Sequence, residues 1–289
     1  MPRLFLSFLL ASLSTFTQVP ADLKIEKIAA GMAFTEGPVW SRDGFLLFSD
    51  VPNNRIMKFV PGVGVSLYRD QSNGANGNTF DDKGRLYTCE SRTHRVIRTD
   101  KKGKVEVLAE SYQGKRLNAP NDITVSKSGH VYFTDPAFGA QAEKRELDFY
   151  GIYQITPKGE LVLLTKHEGR PNGIALSPNG KILYVANSDE KNLRAYDVAK
   201  DGSVVNGRIL ISGVDGPPDG IRVDEKGNLY VTANGLAIYS PEGKLIQTIQ
   251  IPEIPRNCAF GDPDFQTLYI TAMTSVYRVR LDFKGAVPY

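Results

Sequence analysis

Six side chains bearing an oxygen acceptor recur at similar intervals along the 289-residue chain: Glu36, Asn78, Asn121, Asn172, Asp219 and Asn257. Each opens the same pattern of a short strand, a tight turn and a second apolar strand. Asn121-Asp122-Ile123 leads to Gly129-His130-Val131-Tyr132, and Asp219-Gly220-Ile221 leads to Gly227-Asn228-Leu229-Tyr230. If the copies are arranged around an axis, the six residues meet on it. Amides and carboxylates gathered in one place need partners, because burying them unpaired is costly. A hard cation is one such partner. Calcium takes about six to eight oxygen ligands, and the carboxylates of Glu36 and Asp219 would match its charge. The other reading is local: these residues cap turns or bond within their own repeat, since Asn-Gly and Asp-Gly are common turn pairs. A second position recurs where the second strand ends, at Asp50, Glu90, Asp135, Asn187, Ala233 and Ala272. Its acidic members would form a one-sided wall for a polyhydroxylated ligand if they face one mouth, and plain loop surface if they do not.

The elements that must position these groups follow from the spacing, about 44 residues per copy, which matches four strands per β-propeller blade. The turns, such as Asp81-Asp82-Lys83-Gly84 and Ser177-Pro178-Asn179-Gly180, use Asp, Asn, Pro and Gly where the chain reverses. The strands are rich in Val, Ile, Leu and Tyr, and no segment has a sustained helical period. The expected fold is all-β, a six-bladed β-propeller with four antiparallel strands per blade, with Leu23–Ile28 pairing with the last repeat to close the ring. A pair of β-sandwiches is the structural alternative. Trp-Asp dipeptides are absent, which separates the chain from the common seven-bladed scaffolds. No linker interrupts residues 22–289, so they are expected to form one domain.

Residues 1–21 stand apart. Arg3 is the only charge before Asp22, Leu4 to Phe16 is apolar apart from Ser and Thr, and Val19-Pro20-Ala21 offers small residues for cleavage. This is the layout of a secretory signal and is too short for a comfortable membrane span. An uncleaved anchor or a buried first strand is the alternative. Removal leaves roughly 270 residues, which six blades nearly consume. The mature chain is expected to be periplasmic or secreted, off the membrane, and a monomer or weak dimer. The 35 Lys and Arg against 32 Asp and Glu leave a net charge of +3, too small a surplus for a nucleic-acid binder. Three scattered His and two Cys make neither a zinc site nor a disulfide scaffold. Cys89 and Cys258 are expected to be buried free thiols, with pairing as the alternative.

Glu36-Gly37-Pro38-Val39-Trp40, Arg116 to Asp122, Tyr132-Phe133-Thr134-Asp135-Pro136, Pro171-Asn172-Gly173-Ile174 and Asp219-Gly220-Ile221 stand in order in the first, third, fourth and fifth repeats, the third holding two of them. With Cys89-Glu90 and Asn257-Cys258-Ala259-Phe260, they resemble the SMP-30/gluconolactonase/regucalcin family, in particular its bacterial gluconolactonases. The resemblance runs from about Gly31 to the end. It implies a six-bladed propeller with one divalent cation, most often calcium with Mg2+, Mn2+ or Zn2+ as substitutes, at the channel mouth. It implies Glu36, Asn121, Asn172 and Asp219 as metal ligands, a small-molecule lactone as substrate, and Asp219 as the residue that moves a proton. Animal members carry an arginine two residues before the metal asparagine, where it contacts sugar; this chain has Ala119 there. Sugar contacts would then fall to Asn78, Glu90, Arg92, Arg116 or Asp135. Gly-x-Ser-x-Gly and glycine-rich phosphate loops are absent, which speaks against a serine esterase or a nucleotide enzyme. A non-enzymatic ligand- or metal-binding propeller, and a relative acting on non-sugar lactones or aryl esters, are the functional alternatives.

Overall fold

A computed structural model describes residues 23–287, so the proposed leader lies outside the described residues. Six four-stranded antiparallel sheets succeed one another along the chain, each ordered from first strand to last. They are the blades of a six-bladed β-propeller, as the spacing predicts. The inner strands are Thr35–Ser41, Ala75–Phe80, Ile123–Val125, Pro171–Leu176, Ile221–Val223 and Pro255–Gly261. Blade 6 takes its outer strand from the other end of the chain: Glu26–Ala29 pairs with Ser275–Arg280, Glu26 opposite Arg278 and Lys27 opposite Tyr277. The closing strand therefore starts later than expected, while Leu23 and Ile25 pack on the blade 6 core. Among the described residues no helix is long and apolar enough to cross a membrane.

The repeated Asp-turn-Tyr pattern has a packing reason. A tyrosine three residues before the end of the second strand is buried in five blades, at Tyr87, Tyr132, Tyr184, Tyr230 and Tyr269. Its ring fills the space between sheets, as where Trp40 of blade 1 stacks on Tyr269 of blade 6 with centroids 5.3 Å apart. A buried hydroxyl needs a partner. In three blades the turn aspartate provides it: Tyr87, Tyr230 and Tyr269 donate to Asp81, Asp224 and Asp262. The same carboxylates hold the turn, Asp81 accepting from the Lys83 and Arg85 N–H groups and Asp224 from those of Lys226 and Asn228.

Around the axis the backbones approach closely, and glycine permits it. Gly173 donates its N–H to the Asp219 carbonyl of the next blade at 2.8 Å. A Cβ on Gly173 would stand 2.2 Å from that oxygen and 2.8 Å from Gly220 Cα. These neighbours are backbone and cannot swing aside. Gly37 is tighter still, with a Cβ placed 1.8 Å from the Asn76 carbonyl and φ at +49°. The Glu-Gly, Asn-Gly and Asp-Gly pairs thus mark contacts between blades rather than turns. Gly173→Ala is expected to destabilise the fold by about 1–3 kcal/mol or more, because overpacking has no local escape. The check is thermal unfolding; a variant melting with the parent would remove the argument.

Candidate active site

Each inner strand starts at one end of the channel, the mouth. Hydrogen bonds between blades fix which residues are equivalent there. The N–H groups of Gly77, Gly173 and Gly220 donate to the carbonyls of Asn121, Asp219 and Arg256 on the following blade. The hydroxyls of Ser49, Thr134 and Thr232 donate to the carbonyls of Asn76, Asn172 and Arg256. Pairing with the second strand gives the same register: Thr35, Ala75, Pro171 and Pro255 oppose Asp50, Glu90, Asn187 and Ala272. The ring at the mouth is therefore Glu36, Asn76, Asn121, Asn172, Asp219 and Arg256.

Four of the six residues expected from the sequence stand in this ring, and two do not. Asn78 is fully buried, one turn of pleat deeper. Its Nδ2 donates to the Gly37 and Asn76 carbonyls and its Oδ1 accepts from Thr88, so it ties blade 1 to blade 2 and has no group left for a sugar. Asn257 lies one residue below the ring, where Nδ2 donates to Glu36 Oε2 at 3.2 Å and Oδ1 accepts the Cys258 N–H. The bulge between Ala75 and Asn78 and between Pro255 and Asn257 does not set these blades apart, since blades 1 and 4 carry it between Glu36 and Val39 and between Pro171 and Ile174. The turn glycine follows Glu36, Asn76, Asn121, Asn172 and Asp219 by the same eight residues, a spacing that Asn78 breaks. The Asn76-Gly77 pair was the usable signal in blade 2. Arg256 was missed because only oxygen acceptors were sought.

The chemistry of the ring centres on two carboxylates. Glu36 is buried, with Oε2 accepting the Gly37 N–H at 2.7 Å. Burial, followed by the charges of Asp219 and Asp122, pushes its carboxyl well above the ordinary range, against the hydrogen bonds from Gly37 and Asn257. Burial pushes Asp219 up to about 7; the Arg256 charge opposes this and Asp122 adds to it. Asn172 Nδ2 donates to Ser188 Oγ at 3.1 Å, which turns its oxygen side away from that contact. The Asn121 side chain has no hydrogen-bond partner among the described residues, and the Asn76 Oδ1 atom is buried without one. A buried and a half-buried carboxylate held above their ordinary range and an orphaned amide oxygen fit a hard cation and nothing apolar. Among the described residues no three His, Cys, Asp or Glu side chains converge. A cation held here would therefore draw on amide oxygens as well as on the two carboxylates.

Below the ring, Asp122 stands where blades 1, 2, 4 and 5 have a glycine and blade 6 has Asn257. It is buried, accepts the N–H groups of Ile123 and Ile174, and faces Arg222 Nη1 at 3.5 Å. Under this pair the channel is a cavity of about 70 Å³ between Pro38, Ile123, Ile174 and Val223. Its far end is closed by the chain terminus, with Ala286 donating to the Val223 carbonyl and Gly285 to that of Phe265.

The second recurring position is a set of latches. Asp50, Glu90, Asp135 and Asn187 are all buried. Asp50 accepts the N–H of Ala33 and the side chains of Asn53 and Arg55. Glu90 accepts from Asn73, Thr93 and Arg95. Asp135 accepts the N–H groups of Asn118 and Ala119, and burial still pushes it up to about 7. These groups hold the loops that lead into the ring, so Glu90 and Asp135 are not the sugar contacts expected. A one-sided wall does exist, built instead from insertions on blade 3. The hairpin Ser111–Tyr112/Lys115–Arg116 and the segment 136–149, with its 3-10 turn Gly139–Lys144, rise on the mouth side. Arg116 joins them, its Nη2 donating to the Lys144 carbonyl and its N–H to Glu146. Arg92 stays exposed on the neighbouring loop of blade 2. Cys89 and Cys258 are buried and free.

The family model for the SMP-30/gluconolactonase/LRE-like region matches residues 34–274, and the chain belongs to this family. A gluconolactonase of Zymomonas mobilis is 36% identical over 288 residues, covering 89% of this chain and 81% of the relative. A Xanthomonas campestris gluconolactonase of known structure superposes with a TM-score of 0.84 at 30% identity, covering 90% of each chain. The crystal structure of a second, putative gluconolactonase gives 0.87 at 28% identity, covering 93% of this chain and 96% of that one.

Proposed function

We propose that this protein hydrolyses lactones, those of sugar acids first among them, at the mouth of the propeller with a divalent cation held by Glu36, Asn121, Asn172 and Asp219. The observation that carries the reading is the meeting of the buried Glu36 carboxylate, the half-buried Asp219 carboxylate and facing amides at the mouth of the channel. Calcium suits an all-oxygen donor set best, with Mg2+, Mn2+ or Zn2+ as substitutes. The cation when bound supplies Lewis acidity toward the lactone carbonyl.

The protein's own groups do the rest. The blade 3 wall and the ring orient the substrate above the carboxylates. Asp219 takes a proton from the attacking water while the water oxygen bonds to the acyl carbon. The bond from that carbon to the ring oxygen then breaks, and the oxygen leaves as a hydroxyl carrying the proton that Asp219 gives back. The product acid gives up its own proton at neutral pH. Burial favours Asp219 as a base near pH 7, whereas a cation on the same carboxylate works against that basicity. His167 is bound to Tyr196 and His130 to Ser128, so neither completes a serine triad at the mouth. The leader of residues 1–21 would take this activity to the periplasm or the medium.

Acid release from D-gluconolactone and a panel of other lactones, followed with a pH indicator in the presence and absence of calcium, tests the reading. Calcium-stimulated hydrolysis with a preference for sugar lactones is expected. A protein inert toward the whole panel would leave a binding propeller in its place.

A further inference from the structure

Arg256 holds the sixth ring position, and the protein does not use up its guanidinium. Nη2 donates to Met273 Sδ at 3.1 Å, and the group lies 5.3 Å from the centre of the Phe34 ring. Nε is buried with no partner. Nη1 stands 3.7 Å from Asp219 Oδ2, an ion-pair separation beyond hydrogen-bond length. The side chain keeps 27% of its exposure beside Asp219 at the mouth. A cation with undirected donors therefore stands next to the group that would accept the proton of the attacking water. The other arginines considered for substrate contact are placed differently, Arg116 on Glu146 and Arg92 on an outer loop.

Lactone hydrolysis turns a neutral ester into an anion, and a guanidinium is a planar fork matched to a carboxylate. We propose that Arg256 is the receptor for the carboxylate that ring opening creates; the proposal rests on the lactonase reading for its ligand. The carbonyl oxygen that gains negative charge as water adds is one of the two oxygens of the product carboxylate. A donor aimed at it stabilises the transition state more than the neutral substrate, and holds the product by the same contact. Phe34 keeps the guanidinium plane in place from one side. The class of ligand recognised is an open-chain hydroxy acid, and a polyol of the same length lacks the anchoring group.

The test is calorimetric titration of calcium-loaded protein with D-gluconate and, separately, with D-glucitol. Wild type is expected to bind gluconate about tenfold or more tightly than glucitol. Arg256→Gln is expected to lose about ten- to a hundredfold of the gluconate affinity and none of the glucitol affinity, the range for a hydrogen bond between charged groups. Product inhibition by gluconate should weaken by the same factor. Calcium titration of each variant shows whether the ring still loads. Should Arg256→Gln fail to fold or load, Arg256→Lys decides, with an expected loss of about three- to tenfold because the fork becomes a point charge. Gluconate affinity equal to wild type in the variant that loads overturns the proposal. Lactone hydrolysis with gluconate affinity indifferent to Arg256 keeps the lactonase and removes the receptor. Gluconate binding that depends on Arg256 in a protein inert toward lactones does the reverse.

Discussion

Exhaustive chelation is expected to reduce lactone hydrolysis to background, and added calcium to restore it. The argument is electrostatic. The Asp219 charge raises the Glu36 carboxyl, Glu36 is buried and Asp219 only partly exposed, and Asp122 adds a third carboxylate beneath them. Within the chain the cations that face them are Arg256 and Arg222. A divalent ion removes the repulsion and gives the amide oxygens of Asn76, Asn121 and Asn172 a partner.

The same argument fixes the sign of a stability effect. With Asp219 at about 7 when folded, the metal-free protein holds a proton that the unfolded chain releases above about 4. Its stability is full below that lower value and falls as pH rises through about 7. Glu36, raised by the same causes, adds to the fall. Calcium should abolish this part of the pH dependence. Asp135, also raised to about 7, contributes a fall of the same sign that calcium leaves in place. Calcium at one hundred times its dissociation constant stabilises by about 2.7 kcal/mol. At this chain length that is a rise in melting temperature of about 5–10 °C. Melting curves between pH 5 and 8, with and without calcium, check both statements. Activity that survives chelation would sink the metal-assisted mechanism.

Asp219→Asn should lower the rate at saturating calcium by about 10²–10⁴-fold, the usual contribution of a positioned general base. Asparagine keeps an oxygen for a cation but removes the proton acceptor and a negative charge, so metal affinity falls too and the metal must be saturating before rates are compared. Glu36→Gln is the control. It removes the companion charge and a hydrogen-bond acceptor of Gly37, without a proposed part in proton transfer. Its expected signature is weaker calcium binding with most of the rate recovered at high calcium. A near-normal rate for Asp219→Asn at saturating metal would remove its base role. Unchanged calcium affinity in Glu36→Gln would take that residue out of the metal site.

Much of this was legible in the chain. The repeat carries the blade count, because the blades share the turn between first and second strands and the close approach at the axis, and five of them share the buried tyrosine. Glu36, Asn121, Asn172 and Asp219 were legible for the same reason, each sitting at a fixed distance from a motif. Asn78 was misread as a ring member, and Glu90 and Asp135 as substrate contacts. Polarity at a repeated position says that a group needs a partner, and not whether that partner is a ligand or the next loop. Asp135 found its partners in the Asn118 and Ala119 amides, which lie sixteen and seventeen residues away in the chain yet adjacent in space.

By itself the sequence determined the architecture, the family and the carboxylate pair, since these follow from local pattern repeated six times. The tertiary structure alone decided the sixth ring position, placing Arg256 where Asn257 was expected. It also decided that the wall above the mouth is made by blade 3 insertions tied through Arg116. Both depend on contacts between blades, the carbonyl of one ring residue held by a glycine N–H or a hydroxyl of the preceding blade. In blade 2 the eight-residue spacing to the turn glycine marks Asn76, whereas in blade 6 no glycine stands at that distance and only the contacts between blades place Arg256.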